Sequence, residues 1–470
     1  MTRSRIRSSP SKRPLQKRRN DDEIVQVVLV STYELGHQPF GLSSPKAWLV
    51  RDGHDVVCVD LAVTTLDKAE PAIQAAGLVA FHLPMHTATR LAIPVIERVK
   101  QLNPRARLAC YGLYAPLNRE LLRGLGVEAT IGGEFEAALA QLANGDSLAE
   151  GGSMPRLAFL TPDRSGLSDL TAYSRLRKNG QKITAGYTEA SRGCKHMCRH
   201  CPVVPVYQGQ FRVVQSEVVL ADIRQQVAAG ARHITFGDPD FFNGPTHALR
   251  VVEAFHAEFP EVSYDATIKI EHLKQHRALL PRLKETGCLF VTSAVESVDD
   301  SVLARLEKSH TRQDFFEVAA SMREAGLALQ PTFIAFTPWT TIDGYGAMLR
   351  ALAELELVEN TAPVQLALRL LVTKNSRLLE LPDLRAVLGE FDEKSLVYPW
   401  KHADAEVDAL ASCVFQTVSR RQDQNKSRAE IFGELWELVL RSPAPALPQQ
   451  LPVPHLDEPW YCCAEPAPQV

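Results

Sequence analysis

EASRGCKHMCRHCP, residues 189–202, is the stretch on which the fold turns. Cys194, Cys198 and Cys201 fall within eight residues. Read as a helix, the spacing i, i+4, i+7 puts all three on one face. Gly193 before them and Pro202 and Pro205 after them oppose a long helix, which leaves a loop. Clustered thiolates are soft ligands and select iron-sulfur chemistry or zinc. Zinc wants a fourth ligand, which His196 or His200 offers. Three thiolates on a four-iron cluster leave one iron open to a chelating ligand.

A βα series surrounds this loop. Its strands are expected at 184–190, 232–237, 263–268, 288–295, 328–336 and 364–370, with helices at 217–229, 245–258, 274–286, 299–306, 313–325 and 344–357. Six such units suit an open, partial (β/α)6 barrel within residues 183–395. Upstream, IVQVVLV at 24–30 is a continuous apolar run of the kind that forms a buried parallel strand. Further strands at 56–61, 78–83, 107–111 and 129–133 alternate with helices near 46–52, 88–102 and 120–125. That alternation predicts a doubly wound parallel sheet over 23–142. Residues 143–182, rich in Gly, Ser, Asp and Pro, read as a linker; 396–442 read as a helical region; 443–470 read as a Pro-rich tail. The chain is therefore α/β, with two βα domains and a helical end.

Of the 470 residues, 45% are hydrophobic and 23% charged, and the formal net charge is -3. This balance gives no reason to expect nucleic acid or an anionic membrane as partner. No run reaches the roughly 18 apolar residues of a membrane span. Residues 1–22 carry eight Lys and Arg with almost no apolar residue, as in a disordered basic arm. Nine cysteines, an odd number in a long chain, point to a reducing cytoplasm rather than a disulfide framework. The adjacent Cys462 and Cys463 cannot pair comfortably with each other. On a floppy end such a pair is expected to react, as a soft-centre ligand or by thiol exchange, so a catalytic role is assigned to both.

The Cys-x3-Cys-x2-Cys run at the end of a first barrel strand resembles the radical S-adenosylmethionine (SAM) superfamily. The resemblance covers residues 183–372. It implies a 4Fe-4S cluster on Cys194, Cys198 and Cys201, SAM on the open iron, and a 5′-deoxyadenosyl radical. It implies further that His200 lies near the adenine and that Gly237 and Asp238 stand where the family has a Gly-Gly-Glu motif for the methionine amino group. Glu296 matches a Glu-Ser element facing the cofactor, and Lys269 and Arg369 are placed to reach the carboxylate. An electron donor such as flavodoxin or ferredoxin and a small-molecule substrate are implied as partners.

Residues 39–54 and Gly132-Gly133-Glu134-Phe135-Glu136 resemble cobalamin-binding domains fused to radical enzymes. The Asp-x-His-x-x-Gly signature of histidine-ligating domains is missing, and His37 and His82 are the histidines nearer the sheet edge. Cobalamin stays open on this ground, against a Rossmann-like domain that only positions substrate. The ending is similar to radical proteins with a Cys-Cys-Ala-Glu-Pro tail. Two other classes remain: a zinc protein with a closed structural site, and a redox or metallochaperone protein without radical catalysis.

Overall fold

A computed structural model describes residues 25–148, 154, 156–446, 453–458 and 464–465. The basic arm at 1–22, and Cys462 and Cys463, lie outside the described residues.

The first sheet contains β1 (Gln26–Ser31), β2 (Asp55–Asp60), β3 (Leu78–His82), β4 (Arg107–Tyr111) and β5 (Ala129–Ile131). They are parallel throughout, in the order β2-β1-β3-β4-β5. Both faces are packed. Val28, Val30, Val79 and Phe81 enter one core cluster, and Val27, Leu29, Leu78 and Ala80 enter another on the opposite face. Two covered faces explain why β1 reads as an unbroken apolar run. The strand order reverses between β1 and β3, so the loops after these two strands diverge and leave a crevice. The helix Phe40–Arg51 begins six residues before the expected 46, and Pro45 lies inside it.

The second sheet begins earlier than expected. β6 (Arg175–Lys178), inside the stretch read as linker, pairs antiparallel with β7 (Gln181–Thr188). Asn179 and Gly180 make the turn with φ of 51° and 76°. β8 (Ser191–Gly193) and β9 (Phe211–Val213) form a small antiparallel pair of their own. From β7 the sheet runs parallel through β10 (His233–Phe236), β11 (Ser263–Thr267), β12 (Cys288–Glu296) and β13 (Ala328–Phe333). The expected sixth strand, 364–370, is reduced to β14 (Arg369–Leu370), joined through a parallel bridge between Arg369 and Phe336. Pro363 opens a short 3-10 helix, Pro363–Leu366, over the rest of that stretch. The expected helix at 274–286 is two, Ile270–Gln275 and Leu280–Glu285. The outer face of this half-barrel carries the main core, including Ile234, Phe236, Tyr264, Val291 and Leu329.

Helices Ala405–Asp423 and Arg428–Leu440 make up the C-terminal helical region. The tail then returns to the barrel. β15 (His455–Leu456) adds antiparallel to β6, and β16 (Ala464–Glu465) adds antiparallel to β14.

Candidate active site

The cysteine loop leaves the C-terminal end of the first barrel strand and is fixed by its neighbours before any metal is considered. Gly193 has φ +74°, and a Cβ there would come within 2.4 Å of the Tyr207 ring and 2.5 Å of the Gln210 carbonyl oxygen, so glycine is required. Asn243 accepts from the Lys195 N–H at 3.1 Å and donates to the Gly193 carbonyl at 3.3 Å. Asp238 accepts from the Ala190 N–H at 3.0 Å and from the Ser191 hydroxyl at 2.5 Å. These contacts hold the strand that leads into the loop, and burial pushes the Asp238 carboxyl up to about 7. Burial also pushes the Cys194 thiol up to about 12, so it keeps its proton until a metal displaces it.

Cys194, Cys198 and Cys201 all line one cavity of about 270 Å3. So do His200, Gly237, Asp238, Lys269 and Glu296. Lys269 Nζ is 3.6 Å from Cys198 Sγ. His200 Nε2 lies 3.1 Å from Glu296 Oε1, and Lys308 Nζ lies 3.3 Å from the same oxygen. Although burial opposes it, the Lys308 charge and the His200 contact hold the Glu296 carboxyl down at about 2. Glu296 takes a left-handed φ of 66° where β12 ends, which is uncommon for a residue with a Cβ. Gly237 faces the Tyr187 ring so closely that a Cβ would sit 1.8 Å from its hydroxyl.

Arg369 corrects one sequence-based expectation. It does not line the cavity; its guanidinium binds Asp408 at 2.9 Å and stacks 3.9 Å from the Trp400 ring centroid. The helical C-terminal region supplies Asp408 and so draws the arginine outward.

Residues that the sequence reading passed over, Asp240 and His272 among them, also shape the site. Cys194, His196 and Asp240 bring ligand atoms within 4.8 Å of one another, a mixed donor set that also suits zinc. His272 Nδ1 reaches the same Asp240 at 2.7 Å. Arg192, inside the quoted stretch, is buried and ties the two domains together. It meets Glu136 at 2.7 Å, Glu134 at 3.4 Å and its own neighbour Glu189 at 2.7 Å. Glu134 and Glu136 belong to the Gly132–Glu136 segment that follows β5.

The opposite wall of the cavity is the crevice of the first sheet. Glu34, Leu35 and His37 come from the loop after β1, and His82, Pro84 and Met85 from the end of β3. His82 Nδ1 meets Glu34 Oε1 at 2.7 Å, an arrangement that leaves Nε2 as the ring's other ligand atom. His37 is half-buried, and its withdrawal from water drives its imidazole down to about 4.

Residues 188–338, which begin at the end of β7 and contain the cysteine loop, match the radical SAM superfamily. This part of the chain is a radical SAM domain. Two curated relatives are similar over longer stretches. A ribosomal protein uS12 methylthiotransferase, RimO, of Geobacter sulfurreducens is 24% identical over 44% of this chain and 50% of its own. A hopanoid C-3 methylase of Methylococcus capsulatus is 25% identical over 64% of this chain and 62% of its own. The chain thus spans about half to three fifths of these relatives' lengths. Among solved structures, the cobalamin-dependent SAM radical enzyme OxsB superimposes with a TM-score of 0.67 at 12% identity, over 84% of this chain and 66% of that one. TsrM of Kitasatospora setae, a radical SAM methyltransferase solved with cobalamin and a 4Fe-4S cluster, gives 0.56 at 15% identity, over 71% of each. These likenesses show that the sheet upstream of the radical SAM domain belongs to the same two-domain fold.

Proposed function

We propose that the chain cleaves SAM reductively at a 4Fe-4S cluster on Cys194, Cys198 and Cys201, and that it uses the radical, with a corrinoid on the first sheet, to methylate a small molecule. One observation carries this reading: the three cysteines open onto a cavity whose far wall is the switch-point crevice of a second α/β domain. The donor set fits a cluster, since three thiols line the cavity and, among the described residues, no further cysteine does. The crevice fits a corrinoid in its apolar wall of Leu35, Phe40, Met85 and Phe135 and in the His82–Glu34 pair. When bound, the cluster supplies an electron to the sulfonium of SAM and the corrinoid supplies methyl transfer.

The protein's own part is position and charge. Lys269 offers a cation beside Cys198. Glu296, held ionised by Lys308, orients His200 one residue before Cys201. Gly237 leaves room for the Tyr187 ring at the cavity's floor. Cys462 and Cys463 act on the reaction rather than on folding. Flavodoxin or ferredoxin supplies the electron, and a reducing cytoplasm suits both the cluster and the free thiols. The described residues contain no helix long and apolar enough to cross a membrane.

The test is anaerobic reconstitution with iron and sulfide, followed by assay for 5′-deoxyadenosine under strong reductant. Brown protein with about four irons per chain and steady 5′-deoxyadenosine formation is expected. A colourless protein holding one zinc on Cys194, His196 and Asp240 would overturn the proposal.

A further inference from the structure

Below the cluster cavity lies a second, smaller one of about 100 Å3 inside the half-barrel. The two share Leu35, His37, Tyr187, Gly237 and Thr267 in their walls, so they are neighbours across the Tyr187 ring. A barrel interior is normally filled by branched aliphatic side chains. Here the inward positions follow the two-residue period of the strands and, apart from Phe290 on β12, are polar: Thr235 on β10, Asp265 and Thr267 on β11, Thr292 on β12, Gln330 and Thr332 on β13. Such a lumen is built to hold something polar.

Two groups in it lack the partners they would need in a merely structural role. Thr332 is 5% exposed, and its hydroxyl oxygen is buried without a hydrogen-bond partner. Arg428, from the first turn of helix Arg428–Leu440, donates to the Glu359 carbonyl oxygen at 2.6 Å. It is half-buried and has five N–H donors, yet no carboxylate among the described residues lies within ion-pair distance of it, and the Glu359 carboxylate acts on it only from further off. On the acidic side, Asp265 and Glu458 line the same chamber. Asp265 is fixed by His233 at 2.8 Å and Thr235 at 2.7 Å through one of its oxygens. Glu458 accepts from the Tyr33 hydroxyl.

The tail completes the wall. The Pro454 carbonyl oxygen accepts from Gln330 Nε2 at 2.6 Å, and His455–Leu456 pairs with β6. The segment 453–458 therefore straps the gap between the two edges of the half-barrel and closes the chamber from the side.

We infer that this chamber is the binding site for the substrate of the proposed reaction, and that the substrate is a small α-amino acid whose carboxylate meets Arg428 and whose ammonium faces Asp265 and Glu458. A single guanidinium opposite two carboxylates matches a zwitterion better than a dianion such as phosphate. At roughly 10–15 Å3 of such volume per water, the space equals about seven to ten waters, the heavy-atom count of a compact amino acid. The inference rests on the radical reading only for what happens after binding, because every wall residue is protein.

The test uses the full-length chain, both as purified and after reconstitution with iron and sulfide. The probes are the proteinogenic L-amino acids, their amides, the amines lacking the carboxylate, and inorganic phosphate, read by calorimetry and thermal shift. At least one amino acid of about ten heavy atoms or fewer is expected to bind. Its amide, its amine and phosphate are expected to bind at least tenfold more weakly. Arg428→Met should weaken binding at least tenfold, and Thr332→Val several-fold. Thr332→Val changes no volume to speak of and keeps the test alive if Arg428→Met does not fold. The inference is overturned if no compact amino acid binds, if phosphate binds as well, or if a bound amino acid holds equally to the folded variants. A colourless protein that still binds the amino acid would sink the proposed function and leave the chamber standing. A brown, SAM-cleaving protein that binds none would do the reverse.

Discussion

The two parallel sheets of this molecule are covered in opposite ways. In the first, both faces of β1 are apolar and fully buried, with Val27, Val28, Leu29 and Val30 shared between two core clusters. Only its C-terminal edge is left to meet a ligand. In the second, the outer face is core while the inner face carries Thr235, Asp265, Thr292 and Gln330. The first sheet is thus a platform and the second a vessel. Arg192 holds the platform over the vessel's mouth.

The comparison is broken most severely at that arginine. Arg192→Met leaves the buried Glu134 and Glu136 and the half-buried Glu189 without their cation, and should cost about 3–5 kcal/mol of stability. Chemical denaturation should then resolve two transitions, one per domain; a single unchanged transition would show that the domains do not depend on this contact.

A smaller loss is expected at the vessel's mouth. Gly237→Ala drives a methyl into the half-buried Tyr187 ring and should cost about 1–3 kcal/mol. Thermal melts of the variant check this, and a melting temperature equal to the parent's would mean that Tyr187 has room to move.

The platform's edge offers a gain instead. Burial raises the Asp60 carboxyl to about 6, even though Tyr173 donates to it at 2.8 Å. The folded state therefore holds this proton to higher pH than an unfolded aspartate, which loses it near 3.9. The contribution of Asp60 is most favourable below about pH 4, falls as pH rises to about 6, and stays unfavourable above that. Asp60→Asn should add about 1–3 kcal/mol at pH 7 and nothing at pH 3.5. Equal gains at both pH values would rule out the proton as cause.

The smallest effect on stability is expected from replacing both Cys462 and Cys463 with Ala. The double variant should melt as the parent does, bind its cluster and cleave SAM, yet fail to turn over repeatedly on the true substrate. Full multiple turnover would remove the pair from the reaction.

Much of this was legible in the sequence, for reasons that differ by residue. The cysteine loop was readable because Gly193 and Pro202 bound it and thiol spacing has few structural uses. The strands of the first sheet were readable because both of their faces are apolar. β6 was readable in principle, since Asn179-Gly180 is a strong hairpin turn signal, but the polar strand RLRK beside it hid the pattern. Arg369 misled because position at a strand end does not say which way a long side chain turns, and Asp408, 39 residues on, decides that. Lys308, Asp240 and His272 were out of reach for the same reason: only tertiary packing brings them to the loop. Arg192 stood in the quoted stretch, but nothing local reveals that its three carboxylates converge from two domains.

The central claim is that Cys194, Cys198 and Cys201 hold a cluster with one iron open to SAM. Electron paramagnetic resonance of the reconstituted, reduced protein tests it most directly. The account predicts a reduced-cluster signal that changes on adding SAM and disappears in each single Cys→Ala variant at these positions. A signal that ignores SAM, or that survives replacement of all three cysteines, would contradict it.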